Sequence, residues 1–92
     1  NIAGAINDIP DEMSFEIYPN PGTGKFNFDF SGIKGDFKME IYNLTGSLLK
    51  SEIMILNGGD NRDIDLTGYE KGMYLVRVAN GKTNLIKKLV IN

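Results

Sequence analysis

Three aspartates in the second half of the chain are spaced closely enough to suggest a calcium site. Asp60, Asp63 and Asp65 carry the hard oxygen ligands that Ca²⁺ prefers. Their spacing does not match the EF-hand loop, which needs acidic or amide residues at alternate positions, a glycine and a later glutamate. Asp63 and Asp65 lie two residues apart on a predicted strand and so share one face, most simply the wet one. We expect solvated aspartates and no bound metal or other cofactor.

Side chains for covalent or acid–base catalysis are scarce. The chain has no cysteine and no histidine, which removes the thiol nucleophile and the commonest general base at neutral pH. Its serines therefore have no histidine partner for a triad, and its glycines do not form a Gly-x-Gly-x-x-Gly turn. Paired carboxylates exist, but a small β domain with short loops offers them no obvious deep cleft. We expect the chain not to be an enzyme.

Charge and hydropathy argue against further classes of partner. A net charge of −2 over 92 residues does not suit a protein that binds nucleic acid or an anionic membrane, since both need a basic face. No apolar run approaches the roughly 18–20 residues of a membrane span. The apolar share of 41% is enough for one compact core.

Composition also suggests how the chain is organised. Residues 1–14 are small, polar and acidic, and strand-like patterning starts at Phe15. We therefore expect residues 1–14 to be a linker and residues 15–92 to be one domain. Because position 1 is not methionine, we interpret the chain as a piece of a longer polypeptide.

Alternation of apolar and polar residues predicts about seven β-strands. It is clearest in Lys25–Phe30, where Phe26, Phe28 and Phe30 share one face. The other predicted strands are Phe15–Tyr18, Phe37–Tyr42, Leu48–Leu56, Arg62–Leu66, Gly72–Val78 and Thr83–Ile91. Seven short strands with frequent turn signals predict an all-β, immunoglobulin-like antiparallel sandwich.

Three details of this pattern carry separate predictions. Leu48–Leu56 has more apolar residues than the others, which favours a strand partly covered on both faces. Asn80-Gly81 between two strands is typical of a two-residue type I′ hairpin. Asn43-Leu44-Thr45 matches a glycosylation sequon, but a turn ending in Gly46 explains these residues better.

Four segments follow one another in a characteristic order. They are Tyr18-Pro19-Asn20-Pro21-Gly22, Ile41-Tyr42-Asn43-Leu44-Thr45-Gly46, Ile64-Asp65-Leu66 leading to Gly72–Val78, and Lys87-Lys88-Leu89-Val90-Ile91. In order and spacing, the chain from Phe15 to Asn92 resembles the type A C-terminal sorting domain of the type IX secretion system.

This resemblance implies a function, partners and a location. The domain would follow a cargo in the same polypeptide, be recognised by the outer-membrane translocon and be removed by the sortase of the system. The product would be secreted or held at the cell surface after passing through the periplasm and outer membrane. The small residues Ala3, Gly4 and Ala5 of the linker are the expected cleavage region.

The last predicted strand is the expected recognition element. Leu85, Lys87, Leu89 and Ile91 alternate with Ile86, Lys88 and Val90, so that the face turned away from the core still carries apolar residues beside a charge. Such a strip could dock a partner, or it could simply be covered, with the lysine stems lying along it. The expected recognition residues are Gly72, Tyr74, Lys87, Lys88, Leu89, Val90 and Ile91.

Two alternatives remain open. Tyr74 could be a buried aromatic at a sheet corner, with Gly72 permitting the bend, and both would then be structural. The domain could instead be an immunoglobulin-like adhesive or carbohydrate-binding module. That function would gain support if Tyr18, Tyr42 and Tyr69 clustered with Tyr74 on an exposed face.

Overall fold

A computed structural model describes residues 14–92 of the chain. These residues form seven strands and no helix: β1 (Ser14–Tyr18), β2 (Lys25–Ser31), β3 (Lys34–Asn43), β4 (Leu48–Asn57), β5 (Asn61–Asp65), β6 (Gly72–Ala79) and β7 (Asn84–Ile91). The seven predicted strands are therefore confirmed. The largest difference in bounds is at β3, which begins three residues before the predicted Phe37.

The strands form two antiparallel sheets that pack face to face. One sheet has three strands in the order β1-β2-β5, and the other has four in the order β4-β3-β6-β7. Each strand directs alternate residues into the space between the sheets. The predicted all-β class is confirmed, and the arrangement is consistent with an immunoglobulin-like sandwich.

A cluster of phenylalanines fills the interior beneath the three-stranded sheet. Phe15 on β1 pairs in register with Phe30 on β2, and their rings stack with centroids 5.7 Å apart. Phe28 lies 6.3 Å from Phe15 and is fully buried. Phe26, Phe28 and Phe30 are all at most 3% exposed, so the period-two pattern of β2 correctly identified its dry face.

The prediction that β4 is partly covered on both faces is wrong. Met54 and Leu56 point into the core, but Ile53 and Ile55 are 65% and 63% exposed on the outer face. β4 is the outermost strand of its sheet, and among residues 14–92 nothing packs over that face. The apolar content of the segment therefore did not indicate burial.

The turn before β7 also differs from the prediction. The connection spans residues 80–83, because Ala79 pairs with Asn84. Neither Asn80 nor Gly81 has the positive φ that a type I′ turn requires. The side-chain oxygen of Asn80 instead accepts the backbone N–H groups of Lys82 and Thr83, each at 2.8 Å.

The turn after β3 is held by its own asparagine. The side-chain oxygen of Asn43 accepts the backbone N–H of Thr45 at 3.1 Å and that of Ser47 at 2.9 Å. Gly46 completes the turn with φ +90°, a value that side chains disfavour. These bonds give the segment that matches a glycosylation sequon a structural role as a turn.

Among residues 14–92 there is no helix long and apolar enough to cross a membrane.

Candidate functional site: the exposed face and capped edge of the last strand

The outer faces of the two sheets differ in chemistry. The three-stranded sheet exposes Glu16, Asp29, Asp63 and Asp65, with Lys25 as the cation among them. The four-stranded sheet exposes mainly large apolar side chains on its two outer strands and on β6. Because exposed apolar area beside charges is typical of a docking surface, the four-stranded sheet is the better candidate for one.

A continuous patch covers the outer side of β6 and β7. We call it the outer patch and define it as Met73 and Leu75 of β6 together with Ile86, Lys88 and Val90 of β7. Met73 lies opposite Val90 in the sheet, and Leu75 lies opposite Lys88. Ile86 is 56% exposed, and Met73 and Leu75 are 39% and 38% exposed. The patch thus combines apolar area with one lysine ammonium, which can orient a partner.

The expected recognition residues divide between this patch and the core. Leu89 and Ile91 are 0% and 4% exposed, so their side chains belong to the interior. Lys87 also faces inward at the rim, with its ammonium 3.5 Å from the Glu16 carboxylate on β1. Lys88 and Val90 lie in the outer patch. The alternation predicted for β7 is therefore present, with Ile86, Lys88 and Val90 on the outward side.

Three patch residues were absent from the predicted recognition set: Met73 and Leu75 of β6, and Ile86, which the alternation of β7 already placed on the outer side. Met73 and Leu75 alternate with the inward-facing Tyr74 and Val76 of β6. The same period-two reasoning that was applied to β7 would have placed them on the outer face. Their position beside Lys88 and Val90 follows from the β6–β7 register, which the hairpin sets.

Tyr74 lies at a sheet corner instead of on the surface. Its side chain is 6% exposed, and its hydroxyl donates a hydrogen bond to the backbone oxygen of Glu70. The ring meets that of Tyr69 edge-on, with centroids 6.1 Å apart. Gly72 is exposed and has φ +144°, which a side chain would disfavour. This geometry is that of a tyrosine corner, which fixes the connection entering β6.

The loop after β1 covers part of the open edge of β7. Asn20 lies beside β7, where its side-chain N–H donates to the backbone oxygen of Lys88 at 2.8 Å. The side-chain oxygen of Asn20 accepts the N–H of Val90 at 3.0 Å. One amide side chain thus satisfies two backbone groups that would otherwise be open to another strand.

The same loop extends the coverage with its own backbone. Gly22 donates its N–H to the oxygen of Val90 at 3.0 Å, and its oxygen accepts the N–H of Asn92 at 2.7 Å. A Cβ on Gly22 would lie 2.6 Å from the Phe26 ring and 2.7 Å from the Pro19 oxygen, so this close approach requires glycine. The first and last of the four motif segments are therefore in contact.

An ion pair lies at the centre of the outer face. Arg77 of β6 donates to Glu40 of β3 at 2.8 Å, and the two residues are directly paired in the sheet. This hydrogen bond is the main reason that the pKa of the Glu40 carboxyl lies below its usual value, with Lys38 adding to the effect and burial opposing it. Arg77 also donates to Asn84 at 2.9 Å. The pair ties β3, β6 and β7 together beside the outer patch.

The three aspartates weighed as calcium ligands have other partners. Asp60 accepts the backbone N–H of Asn57 at 2.6 Å, and this bond lowers the pKa of its carboxyl. Asp63 accepts a side-chain N–H from Asn27 at 2.9 Å. Asp65 accepts the hydroxyl and the N–H of Thr67, and both bonds lower its pKa. Among residues 14–92 no group of three acidic, cysteine or histidine side chains is arranged to hold a metal.

The four tyrosines do not form one exposed aromatic surface. Tyr18 is 47% exposed, at one end of a groove of about 530 Å³ on the three-stranded sheet. Tyr42 lies on the outer face of the other sheet, and Tyr69 packs against the buried Tyr74. The aromatic cluster that would have supported a carbohydrate-binding module is therefore not formed.

The fold and the exposed face define the class of this protein as an immunoglobulin-like β-sandwich with an exposed apolar surface on its last two strands. A model of the secretion system C-terminal sorting domain family, Por_Secre_tail, matches residues 16–92. The chain belongs to this family, and it is a sorting signal for type IX secretion. The resemblance drawn from the four motif segments is confirmed. No curated protein matches the chain.

Membership in the family settles the general function. Sorting domains of this kind are targeting signals and not enzymes, they act with the type IX secretion machinery on a cargo, and they lead to secretion or display at the cell surface. The predicted cleavage region at Ala3, Gly4 and Ala5 lies outside the residues that the structure describes. Ser14, predicted to belong to the linker, is the first residue of β1.

Proposed function

We propose that the outer patch is the surface by which the outer-membrane translocon recognises this domain. Its support is the contiguous surface formed by the exposed Met73, Leu75 and Ile86 and the half-buried Val90 around Lys88. Apolar contact supplies most of the affinity in such interfaces, and a charge at the patch fixes orientation. In this proposal Leu89, Ile91, Tyr74 and Gly72 act by holding the patch in shape.

We further propose that residues 15–92, together with Ser14 at the start of β1, form the sorting domain and that the preceding part of residues 1–14 connects it to the cargo. After passage through the periplasm and outer membrane, the sortase would cut the connection at Ala3, Gly4 or Ala5. Small side chains at that point would let the extended backbone enter the protease site without steric hindrance. The domain supplies no catalytic group to this step and would be released from the cargo.

A secretion assay with a matched pair of isoleucine variants tests the recognition surface. The whole chain is fused behind a reporter that carries a signal peptide and is expressed in a type IX host. Ile86→Asp changes the outer patch, whereas Ile55→Asp changes an equally exposed isoleucine on the far strand of the same sheet. We expect Ile86→Asp to lower the surface reporter at least about tenfold and to leave it in the periplasm, since loss of a central contact commonly costs 1 kcal/mol or more.

Two further readouts make the assay specific. Thermal unfolding of both purified variants should match the unchanged chain, because both positions are exposed. Mass spectrometry of the released reporter should place its new end within residues 3–5. Equal export of the Ile86 and Ile55 variants would overturn the recognition surface, and an end beyond Ser14 would overturn the cleavage region.

A further inference from the structure

β4 is an edge strand whose backbone is covered at its two ends. In antiparallel pairing, alternate residues direct their N–H and C=O groups away from the neighbouring strand. At one end, the Leu49 oxygen that points outward accepts the Tyr69 hydroxyl at 3.4 Å. At the other end, the Ile55 oxygen accepts the Arg62 guanidinium at 2.8 Å. The odd-numbered residues of β4 therefore form its outward edge.

The middle of this edge is open. Ser51 and Ile53 lie between the two covered ends, and none of the hydrogen bonds among residues 14–92 reaches their outward N–H or C=O groups. Ile53 is also 65% exposed on the outer face. An open row of backbone donors and acceptors beside a large apolar side chain is a template for another strand.

We propose that a second copy of the chain pairs its own β4 with this edge, antiparallel, about a two-fold axis at Ser51. In that register Lys50 lies opposite Glu52 of the other copy, and Glu52 lies opposite its Lys50. Ile53 lies opposite Leu49 of the other copy, and both side chains are exposed in the single chain. A strand whose charges match its own reversed sequence is suited to a copy of itself.

Neighbouring registers lack this complementarity. An axis at Glu52 would place two glutamates directly opposite each other, which is unfavourable. An axis at Ile53 would put Glu52 opposite Met54 and would direct the new strand at the Ile55 oxygen, which Arg62 already occupies. The Ser51 register uses the open groups and the oxygen of Leu49, which has a second lone pair free beside Tyr69.

The assembled edge would turn two four-stranded sheets into one sheet of eight strands. It lies at the opposite side of the sheet from β7, because the strand order is β4-β3-β6-β7. Pairing of two copies therefore leaves the outer patch of each copy accessible. Pairing through β4 and recognition through the outer patch are therefore separate, and an experiment that disproves one leaves the other standing.

Reciprocal charge variants test the register. Sedimentation of the 92-residue chain between about 10 μM and 1 mM covers the range expected for a small interface. We expect the unchanged chain to dimerise, and Lys50→Glu and Glu52→Lys each to raise its dissociation constant at least about tenfold, because each creates two like-charge pairs. An equimolar mixture of the two variants should dimerise again, since each then meets the opposite charge. A monomeric unchanged chain, or a mixture no better than its components, would overturn the proposal.

A cysteine placed on the axis gives a second, geometric test. The chain has no native cysteine, so Ser51→Cys adds a single thiol. A hydrogen-bonded antiparallel pair has Cα atoms about 5.5 Å apart, which a disulfide can span. We expect Ser51→Cys to form a covalent dimer on mild oxidation much faster than Ser31→Cys, an exposed control on the other sheet. Equal rates for the two variants would contradict pairing at Ser51.

Discussion

At the scale of single residues, Asn20 illustrates how a side chain can take the place of a strand. Its amide donates to the Lys88 oxygen and accepts from the Val90 N–H, as a neighbouring peptide group would. The sequence showed Asn20 only as part of the first motif segment and gave no sign that its side chain would bond to β7. The partners lie 68 and 70 residues away, beyond the reach of any local pattern.

Replacing Asn20 should weaken the whole domain. Asn20→Ala removes both bonds to β7, and each is expected to contribute about 0.5–1.5 kcal/mol. The melting temperature should fall by several degrees, since about 1 kcal/mol corresponds to roughly 4–8 °C in a domain of this size. Circular dichroism during heating measures this.

A second asparagine provides the control. Asn57 is exposed, and its side chain makes no hydrogen bond to the described residues, so Asn57→Ala should change the melting temperature little. If Asn20→Ala and Asn57→Ala have the same melting temperature, the hydrogen bonds of Asn20 to β7 contribute no stability.

At the scale of elements, the alternation of apolar and polar residues predicted which face of a strand each side chain lies on, but not which strands lie next to each other. The alternation in β7 placed Ile86, Lys88 and Val90 on one side, and the structure has them there. The same alternation in β4 could not show that the strand lies at an edge, because strand order depends on contacts between distant segments. The contribution of β6, two of the five residues of the outer patch, was missed for a related reason. It depends on which strand lies beside β7 and in what register.

The cross-strand pair between β3 and β6 predicts a pH dependence. The pKa of Glu40 lies below its ordinary value of 4.5, chiefly because Arg77 donates to the carboxylate. A lowered folded-state pKa contributes stability above the unfolded value and loses it as the pH falls through the folded value. The unchanged chain should therefore be more stable than Glu40→Gln at pH 7, and the difference should shrink as the pH falls below 4.5.

Urea unfolding at several pH values measures this difference. Glu70→Gln is a suitable control, because the Glu70 side chain is exposed and makes no ion pair with the described residues. That variant should follow the unchanged chain at every pH. A Glu40→Gln deficit that is constant from pH 7 into the acid range would show that the Glu40 carboxylate charge is not what stabilises the pair.

At the scale of the whole molecule, the interior was the most predictable part. The alternating phenylalanines of β2 could face only one way if the domain was to bury them, and they form the centre of the observed core. The number of strands followed from the same reasoning. The two-layer arrangement was the expected solution for seven short strands, whereas the order of strands within each layer was not predicted.

Removing a central phenylalanine ring should therefore strongly destabilise the domain. Phe28 is fully buried between Phe15 and Phe30, and Phe28→Ala should cost about 3–5 kcal/mol. That is a large part of the total stability of a small domain, roughly 5–15 kcal/mol. Denaturant unfolding should show a much lower midpoint, or no folded baseline at all.

An exposed leucine provides the control for this loss of stability. Leu44 is 65% exposed in the turn after β3, and Leu44→Ala should shift the denaturant midpoint only slightly. Comparable shifts for Phe28→Ala and Leu44→Ala would be inconsistent with a core centred on these rings.

The loop after β1 covers only part of β7, so the outward backbone groups of this strand are hydrogen-bonded at one end and not at the other. Near Val90 and Asn92 the loop holds the backbone from the side away from β6. Near Ile86, by contrast, no hydrogen bond among residues 14–92 reaches the outward backbone groups. We therefore expect β7 to fray from Asn84 towards Lys88, with faster amide hydrogen exchange near Ile86 than near Val90.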